Sequence, residues 1–182
     1  MKKNQFVIRA CSPSDAEQLT KLAFLSKAHW EYPKEWLDFW QDDLTITPEL
    51  IEDSIAYIAE AEQQIIGFWV SAVISPALFR VLPSPLTFAP CQRFWVRAAI
   101  DSGEPTCGWL FVHPDHMGKG VARALWSEVK KEAEARGIKR FVIEADPNAV
   151  PFYLSLGAEK IGEKESALIA GRFFPIILLP VA

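Results

Sequence analysis

Residues 109–122 read WLFVHPDHMGKGVA, and this stretch decides how the rest of the chain is interpreted. Its first four residues form an unbroken apolar run, which predicts a buried strand over Trp109–Val112. A turn with Gly118 and Gly120 follows, and apolar residues then recur at helical spacing, which predicts a long helix over Val121–Arg136. Such a junction can bind an anion, because the first backbone amides of a helix lack helical partners and lie at the positive end of its dipole.

Two nucleotide-binding motifs compete for this junction, and both fail on particular residues. A phosphate loop of the form GxxxxGK(S/T) requires glycine at position 113 and a hydroxyl residue at position 120, where the chain has His113 and Gly120. A dinucleotide-binding fingerprint of the form GxGxxG requires a third glycine at position 123, where the chain has Arg123. A nucleotide-binding module is therefore disfavoured.

A third motif matches the same residues. The pattern Val-x-Pro-x-x-x-Gly-x-Gly-x-Ala over residues 112–122 resembles the acetyl-CoA pyrophosphate loop of the GNAT superfamily of N-acyltransferases. Family members usually carry Arg or Gln where this chain has Met117, whereas both glycines and Ala122 are kept. Because backbone amides hold the phosphates in this motif, the part of the loop that binds is still present.

A second segment resembles the same family. Residues 146–158 read DPNAVPFYLSLGA and follow a strand predicted over residues 138–145, where the family has a segment with an Asn, a Phe-Tyr pair and a Gly. With the opening strand and helix near residues 8–16, the resemblance covers residues 6–182 except 75–107. Two motifs in the family's order, each at a strand-to-helix junction, identify the chain as similar to GNAT N-acetyltransferases.

The resemblance implies an α/β (α+β) fold with a mixed, mostly antiparallel central sheet and helices on both of its faces. It also implies a single N-acetyltransferase domain over residues 1–182. Residues 75–107 hold five of the thirteen prolines and are long for a connection in a compact domain, so we interpret them as an irregular insertion or extended loop. We expect this segment to form a lid over the acceptor or a homodimer surface.

Hydrophobic periodicity and turn residues predict the remaining elements. The predicted strands cover residues 6–10, 57–62, 65–74, 93–98, 160–166 and 173–179, and shorter helices begin near Ser14, Pro33, Thr47 and Asn148. The first helix is expected to bury one face, formed by Leu19, Leu22, Ala23, Ser26 and Trp30. In the long helix the corresponding buried stripe is Val121, Leu125, Val129 and Ala133.

For the cofactor, the resemblance implies acetyl-CoA as cosubstrate and no metal. Main-chain groups of Phe111 and Val112 would bind the pantetheine arm or the thioester carbonyl, where a preorganised amide can stabilise an oxyanion by about 2.7–4 kcal/mol. The cofactor-binding residues implied by the resemblance are Phe111, Val112, Met117, Gly118, Lys119, Gly120, Val121, Ala122, Arg123, Asn148 and Phe152. Asn148 could equally cap a helix.

The resemblance also implies transfer of an acetyl group from acetyl-CoA to a primary amine, by direct attack through a tetrahedral intermediate. Tyr153 would donate a proton to the leaving thiolate, and its alternative role is that of a core aromatic with a satisfied hydroxyl. Glu144 would take the proton of the attacking amine through water, with His29 and Glu31 as the other candidates for the base.

The sequence does not identify the acceptor of the acetyl group. His29, Tyr32 and Trp36 are expected to line its pocket, since apolar pockets are typically walled by aromatic rings. A small-molecule amine and a peptide amine both fit that expectation. The alternative function is a catalytically inactive acyl-CoA-binding or regulatory protein on the same scaffold.

The composition excludes several other classes. The 182 residues carry 19 basic and 23 acidic side chains, a formal charge of −4, which argues against a nucleic-acid binder. No apolar stretch is long enough to cross a bilayer, so no membrane association is expected. The three cysteines are odd in number and widely spaced, which favours a reducing, cytoplasmic location. His113, His116 and Cys107 lack a fourth ligand at suitable spacing, so a metal site is not expected.

Overall fold

The computed structural model describes residues 6–72, 106–166 and 169–181. These residues fall into two compact units. The first unit draws on residues 6–71 and 109–132, and the second on residues 72, 106–108, 133–166 and 169–181. The strand predicted over 93–98 lies outside the described residues, as does nearly all of the segment 75–107 with its expected role as lid or dimer surface.

The first unit contains neighbouring strands in the order β1-β2-β3-β4. Its elements are β1 (Val7–Ala10), α1 (Ala16–Ala28), α2 (Lys34–Phe39), α3 (Pro48–Glu52), β2 (Ser54–Ala61), β3 (Gln64–Ala72), most of β4 (Thr106–Val112) and most of α4 (Val121–Ala135). β1 runs antiparallel to β2, with Ile8 opposite Ala59. Glu62 and Gln63 form the turn between β2 and β3 with φ angles of 49° and 64°, the left-handed geometry of a tight hairpin.

The core of the first unit contains most of the residues that the helical periodicity predicts. The buried residues on the predicted faces of α1 and α4 in this unit are Leu19, Leu22, Ala23, Ser26, Val121, Leu125 and Val129. The prediction for Trp30 is wrong, because α1 ends at Ala28 and the Trp30 side chain is 41% exposed. Glu31 follows with a φ of 52°, so the chain leaves the helical path before Trp30 can extend the buried stripe.

A charged cluster fastens β1 to the start of α1. Arg9 donates two hydrogen bonds to the Asp15 carboxylate, at 2.8 and 2.9 Å, and one to Glu60 on β2 at 3.0 Å. Hydrogen bonding to Arg9 holds the pKa of the Asp15 carboxyl below its usual range, against the opposing effect of burial. Burial, together with the nearby Asp15 carboxylate, raises the pKa of the Cys11 thiol to about 12. Cys11 is therefore a structural thiol and not a nucleophile at neutral pH.

The second unit contains a sheet in which the start of β4 is followed by β5, β7 and β6. Its elements are β5 (Arg140–Glu144), α5 (Val150–Leu154), β6 (Glu159–Glu165) and β7 (Phe173–Pro180). β4 pairs with β5 in parallel at Thr106 and Val142, whereas β7 runs antiparallel to both β5 and β6. Buried residues of this unit include Phe141, Ile143, Ile177, Leu179 and Ala133, the last member of the stripe predicted for α4.

The described elements make a mixed α/β fold in which mostly antiparallel strands are flanked by helices. The predicted fold class is confirmed. The interpretation of residues 1–182 as a single domain stays a prediction. Among the described residues, the helices are all too short or too polar to span a membrane.

Candidate active site

The loop between β4 and α4 begins where the sequence predicts it. The His113 N–H donates to the Ile66 carbonyl of β3 at 2.8 Å, which fixes the chain at the end of β4. A 3₁₀ turn over Pro114–His116 follows, and the Nδ1 atom of His113 accepts a hydrogen bond from the Asp115 N–H at 3.2 Å. The His113 side chain therefore caps this turn.

Gly118 and Gly120 carry the loop into α4. Their φ angles are 70° and 84°, and an added Cβ would meet no described protein atom within 4 Å at either position. The Ala124 N–H donates to the Gly120 carbonyl at 3.0 Å, at the start of the helical hydrogen bonds. The amides of Val121 and Ala122 precede this bond and have no acceptor within the helix, which is the arrangement that binds phosphate groups.

The charge at this loop comes from residues other than Met117. Lys119 and Arg123 are exposed, so each can place a cation near an anion at the helix N-terminus. Met117 is half-buried and adds no charge. The backbone and these two side chains therefore supply the positive potential that a pyrophosphate requires.

Gly67 on β3 is a residue that the sequence reasoning missed. A Cβ at this position would lie 2.8 Å from Val121 Cγ1 and 3.3 Å from the Phe111 carbonyl oxygen. Real Cβ atoms essentially never come so close to a neighbour as the first distance, so glycine lets the first turn of α4 pack on β3. An isolated glycine within an apolar strand is the available sequence signal, because it often marks the close approach of another segment.

Phe111 and Val112 stand at the end of β4, immediately before the loop. Val112 is buried, and the half-buried ring of Phe111 has its centroid 5.7 Å from that of Phe68 on β3. Their side chains therefore anchor the strand within the first unit. The use of their main-chain groups to bind a pantetheine arm stays a prediction.

The turn after β5 opens with Asp146. Its Oδ1 atom accepts the Asn148 N–H at 3.0 Å, and its Oδ2 atom accepts a hydrogen bond from Arg172 Nη2 at 3.3 Å. A 3₁₀ turn over Pro147–Ala149 then leads into α5. The alternative role of Asn148 as a helix cap is wrong, because Asp146 caps the turn and Asn148 is exposed.

Arg172 is a second residue that sequence reasoning missed. Its side chain is 9% exposed, and the guanidinium lies 5.1 Å from the centroid of the Phe174 ring. It reaches Asp146 across 26 positions of sequence. No local spacing links the two residues, so only the folded chain reveals that Arg172 fastens this turn.

α5 carries the predicted proton donor. Tyr153 is 4% exposed, and its ring contacts that of Phe152 edge-on at a centroid distance of 5.3 Å. The amides of Leu156 and Ala158 donate to the Tyr153 carbonyl at 2.9 and 3.2 Å, so the backbone is fixed as well. Burial fits both the catalytic role and the core-aromatic alternative, and the role of Tyr153 stays a prediction.

Glu144, the predicted base, is half of an ion pair. Its side chain is 8% exposed, and its Oε1 atom accepts a hydrogen bond from Lys164 Nζ at 2.8 Å. Lys164 belongs to β6 and is 41% exposed, so the pair is open to water on the lysine side. A proton taken up by Glu144 would break this ion pair.

The expected acceptor residues lie in the first unit, around α2. The rings of Tyr32, Trp36 and Trp40 contact one another in all three pairs, at centroid distances between 5.2 and 5.9 Å. The Lys27 Nζ atom lies 5.1 Å from the Tyr32 centroid and 4.6 Å from the Trp40 centroid. These three rings with Lys27 are called the aromatic cluster below. Its members Lys27 and Trp40 were not among the residues predicted to line the acceptor pocket.

A hydrogen bond ties the segment after the aromatic cluster to β4. Trp109 Nε1 donates to the Asp43 carbonyl at 2.8 Å, and Asp43 lies only a few residues beyond Trp40. His29 is exposed and contacts the Trp30 ring edge-on at 5.3 Å. This hydrogen bond therefore joins the predicted acceptor segment to the strand that leads into the loop of residues 113–123.

The predicted site residues thus divide between the units. The first unit holds the loop of residues 113–123 and the aromatic cluster, and the second holds Glu144, Asn148, Phe152 and Tyr153. Within the described parts of the chain, the His, Cys, Asp and Glu side chains form no group of three or more that could hold a metal ion.

Comparisons with known proteins show what this sequence and fold resemble. Residues 98–167 match the family model of the acetyltransferase (GNAT) domain. A curated relative, the uncharacterized N-acetyltransferase ycf52 of Gracilaria tenuistipitata var. liui, is 31% identical over 64 residues. The match covers 35% of this chain and 35% of the relative, so it spans about a third of each protein.

Solved structures match along nearly the whole chain. A GCN5-related N-acetyltransferase of Rhodopseudomonas palustris superposes with a TM-score of 0.69 at 20% identity, covering 99% of this chain and 98% of that one. The PaiA N-acetyltransferase of Thermoplasma acidophilum, in complex with coenzyme A, gives a TM-score of 0.62 at 19% identity and covers 96% and 98%. The fold is that of the acyltransferases of this class. The match to the GNAT acetyltransferase domain covers residues 98–167, less than half of the chain.

Proposed function

We propose that this protein transfers an acetyl group from acetyl-CoA to a primary amine. The loop of residues 113–123 carries the proposal, because its two left-handed glycines lead into a helix N-terminus with open space beside them. The family match supports acetyl-CoA as the cosubstrate, and the PaiA structure contains coenzyme A. A pyrophosphate fits the loop chemically, since it would accept hydrogen bonds from helix amides and attract Lys119.

The cofactor would be held mainly by backbone groups. The amides of Gly118–Arg123 would bind the pyrophosphate, and main-chain groups of Phe111 and Val112 would bind the pantetheine arm. Asn148 and Phe152 stay proposed pantetheine contacts, as the family resemblance implies. A site of this kind depends on loop conformation more than on any one side chain, which is why Met117 is compatible with it.

The chemistry requires an oxyanion site, a proton donor and a proton acceptor. A neutral amine attacks the thioester carbon, the carbonyl oxygen becomes an oxyanion, and the C–S bond then breaks to release a thiolate. An amide of Phe111 or Val112 would stabilise the oxyanion. Tyr153 would donate its phenolic proton to the thiolate, and water near Glu144 would take the proton released by the amine nitrogen.

The acceptor would bind at the aromatic cluster, where Tyr32 and Trp36 are half-buried and so partly accessible. His29 stays a proposed contact at the exposed edge of this segment. A small-molecule amine and a peptide amine both fit. We also propose a cytoplasmic location, supported by the odd and widely spaced cysteines, and a homodimer stays a proposal.

Acetyl-CoA should raise the melting temperature of the protein. At a hundredfold excess over its dissociation constant a ligand stabilises the fold by about 2.7 kcal/mol, which corresponds to roughly 5–10 °C for a chain of this length. Thermal unfolding with acetyl-CoA, ATP and NAD in parallel measures the effect. A shift with ATP or NAD and none with acetyl-CoA would overturn the cofactor assignment.

Tyr153→Phe should lower the turnover number by about a hundredfold, because it removes the proton donor to the thiolate. The shift in melting temperature with acetyl-CoA should be nearly unchanged. Tyr57→Phe on β2 removes a hydroxyl from a tyrosine without a proposed role, and it serves as the matched control. An unchanged turnover number in Tyr153→Phe would assign Tyr153 to the core. A thermal shift without free-thiol release from any amine would favour the inactive acyl-CoA-binding alternative.

A further inference from the structure

Lys27 of α1 extends its ammonium over two rings of the aromatic cluster. The Nζ distances of 5.1 Å to the Tyr32 centroid and 4.6 Å to the Trp40 centroid are within the range, about 6 Å, in which the negative face of a ring attracts a cation. Trp36 packs against both of these rings, stacked on Tyr32 with 26° between the planes and edge-on to Trp40 at 70°. Two rings of the cluster therefore already bind an alkylammonium group, that of Lys27.

One ring of the aromatic cluster is buried, and the other two are partly exposed to solvent. Trp40 is 5% exposed and belongs to the core of the first unit. Tyr32, Trp36 and the Lys27 side chain are half-buried, so solvent reaches them. A ligand can therefore contact the rings once it displaces the Lys27 ammonium from them.

The segment around the cluster is strongly acidic. Residues 27–43 carry two basic and five acidic side chains, a net charge of 2 − 5 = −3, within a chain whose net charge is −4. The acidic residues are Glu31, Glu35, Asp38, Asp42 and Asp43. One of the two basic side chains, Lys34, is paired with Asp38 at 3.0 Å. The segment therefore attracts cationic ligands and repels anionic ones.

We infer that the acceptor is an alkylamine with a second cationic nitrogen, which replaces the Lys27 ammonium over Tyr32 and Trp40. This inference rests on the proposed function, because it names the substrate class of that reaction. An amine attacks a thioester as the neutral nitrogen, whereas the rings and the acidic segment stabilise a charged one. The reacting nitrogen and the nitrogen in the cluster are therefore different atoms, as in a diamine, a polyamine or an aminoalkyl guanidine.

Competition between two acceptors of equal length tests the inference. 1,4-Diaminobutane and 4-amino-1-butanol differ only in a second ammonium or a hydroxyl group, and we expect kcat/KM to be about tenfold higher for the diamine. This exceeds the factor of two that arises from two equivalent nitrogens. Tyr32→Leu should remove the preference, and Tyr32→Phe, which keeps the ring, should preserve it.

Lys27 variants test whether the lysine is a tethered competitor. Lys27→Met frees the rings, so it should lower KM for the diamine about threefold or more, since a tethered group competes at an effective concentration near the millimolar range. Lys27→Arg keeps a cation on the tether and should leave KM near that of the parent protein. A loss of diamine preference in Lys27→Met would overturn the inference.

A binding measurement separates this inference from the proposed function. Tetramethylammonium should shift the indole N–H signals of Trp36 and Trp40 in NMR spectra, more strongly in Lys27→Met, whereas neutral neopentyl alcohol should not. Equal kcat/KM for the two acceptors, or no response to tetramethylammonium in Lys27→Met, would overturn the inference and leave acetyl transfer standing. A tetramethylammonium response without transfer to any amine would overturn the proposed function and leave the cation site standing.

Discussion

The turns that follow β4 and β5 begin alike and are completed differently. In each, the first side chain accepts a hydrogen bond from the amide two positions on, His113 from Asp115 and Asp146 from Asn148. Each continues through a 3₁₀ turn that starts with proline. After β4 the chain passes two left-handed glycines, whereas after β5 it enters α5 directly, with Arg172 bound to the capping carboxylate.

The loop after β4 therefore depends on its backbone conformation, whereas the turn after β5 depends on an ion pair. At the loop, φ angles of 70° and 84° favour glycine, and the absence of side chains leaves amides open to a ligand. At the turn, an ion pair of two little-exposed side chains fixes the segment that leads to Tyr153. Substitutions that change backbone freedom should therefore affect the first region, and substitutions that change charge should affect the second.

Breaking the ion pair at the β5 turn should have the largest effect on stability. Arg172→Met removes the cation from a pair whose side chains are 9% and 18% exposed. Removal of one partner from a buried pair costs about 3–5 kcal/mol, so we expect the free energy of unfolding to fall by about 3 kcal/mol. Urea titration measures the loss. Amide hydrogen exchange should become faster at Asn148 and stay unchanged at Asp115.

Lys21→Met is the matched control for charge removal. Lys21 pairs with Glu17, but these side chains are 71% and 81% exposed, and exposed pairs contribute about 0–1 kcal/mol. Equal losses of stability in the two variants would show that charge does not hold the β5 turn. The claim that an ion pair holds the turn after β5 would then be wrong.

Gly67→Ala should have the next largest effect on stability. It acts on the first turn of α4, which follows the loop after β4. The added Cβ would lie 2.8 Å from Val121 Cγ1, and overpacking of this kind costs about 1–3 kcal/mol. Because Val121 begins α4, the variant should also weaken acetyl-CoA binding by displacing the helix N-terminus. Thermal unfolding and titration calorimetry measure the two effects.

Two further variants show whether the close approach causes the loss. Gly162→Ala adds a methyl group to β6, where nothing lies within 4 Å, and should leave stability within about 0.5 kcal/mol. The double variant Gly67→Ala with Val121→Ala removes the atom that clashes, so its loss should be smaller than the sum of the single losses. Strict additivity would disconnect Gly67 from the helix N-terminus.

The loop after β4 is predictable from the sequence because its determinants are local. An apolar run, two glycines and a helical repeat follow one another within residues 109–136, and each constrains only its own neighbourhood. The predicted ends of strands and helices are less accurate, because a single residue can shift them. The hairpin between β2 and β3 turns at Glu62 and Gln63, one residue earlier than the pattern suggests, and α1 ends before Trp30.

The parts of the site that escaped prediction depend on contacts between distant residues. Gly67 acquires its role only when Val121 packs on it, and Arg172 only when β7 brings it to Asp146. Lys27 contacts the Tyr32 and Trp40 rings only because the chain on either side of α2 folds back against α1. The spacing of residues along the chain does not predict such contacts, because they form only when distant segments pack together.

Gly120→Ala and Gly137→Ala form a matched pair of variants. They test whether the loop after β4 binds acetyl-CoA through its exposed backbone amides. Their φ angles are 84° and 74°, and at both positions an added Cβ would meet no described atom within 4 Å. Forcing alanine into the left-handed region costs about 1–2 kcal/mol, so the two variants should lose similar amounts of unfolding free energy. Stability alone therefore cannot distinguish the glycine of the loop from the glycine at the end of α4.

Affinity should distinguish them, and this is the smallest of the expected effects. The methyl group of Gly120→Ala would occupy the open space beside the helix amides, so we expect acetyl-CoA to bind about tenfold more weakly, a change of about 1.4 kcal/mol. Gly137→Ala should bind acetyl-CoA as the parent protein does. If both variants retain full affinity, Gly120 serves the backbone turn alone, and the open space beside it is not where the cofactor binds.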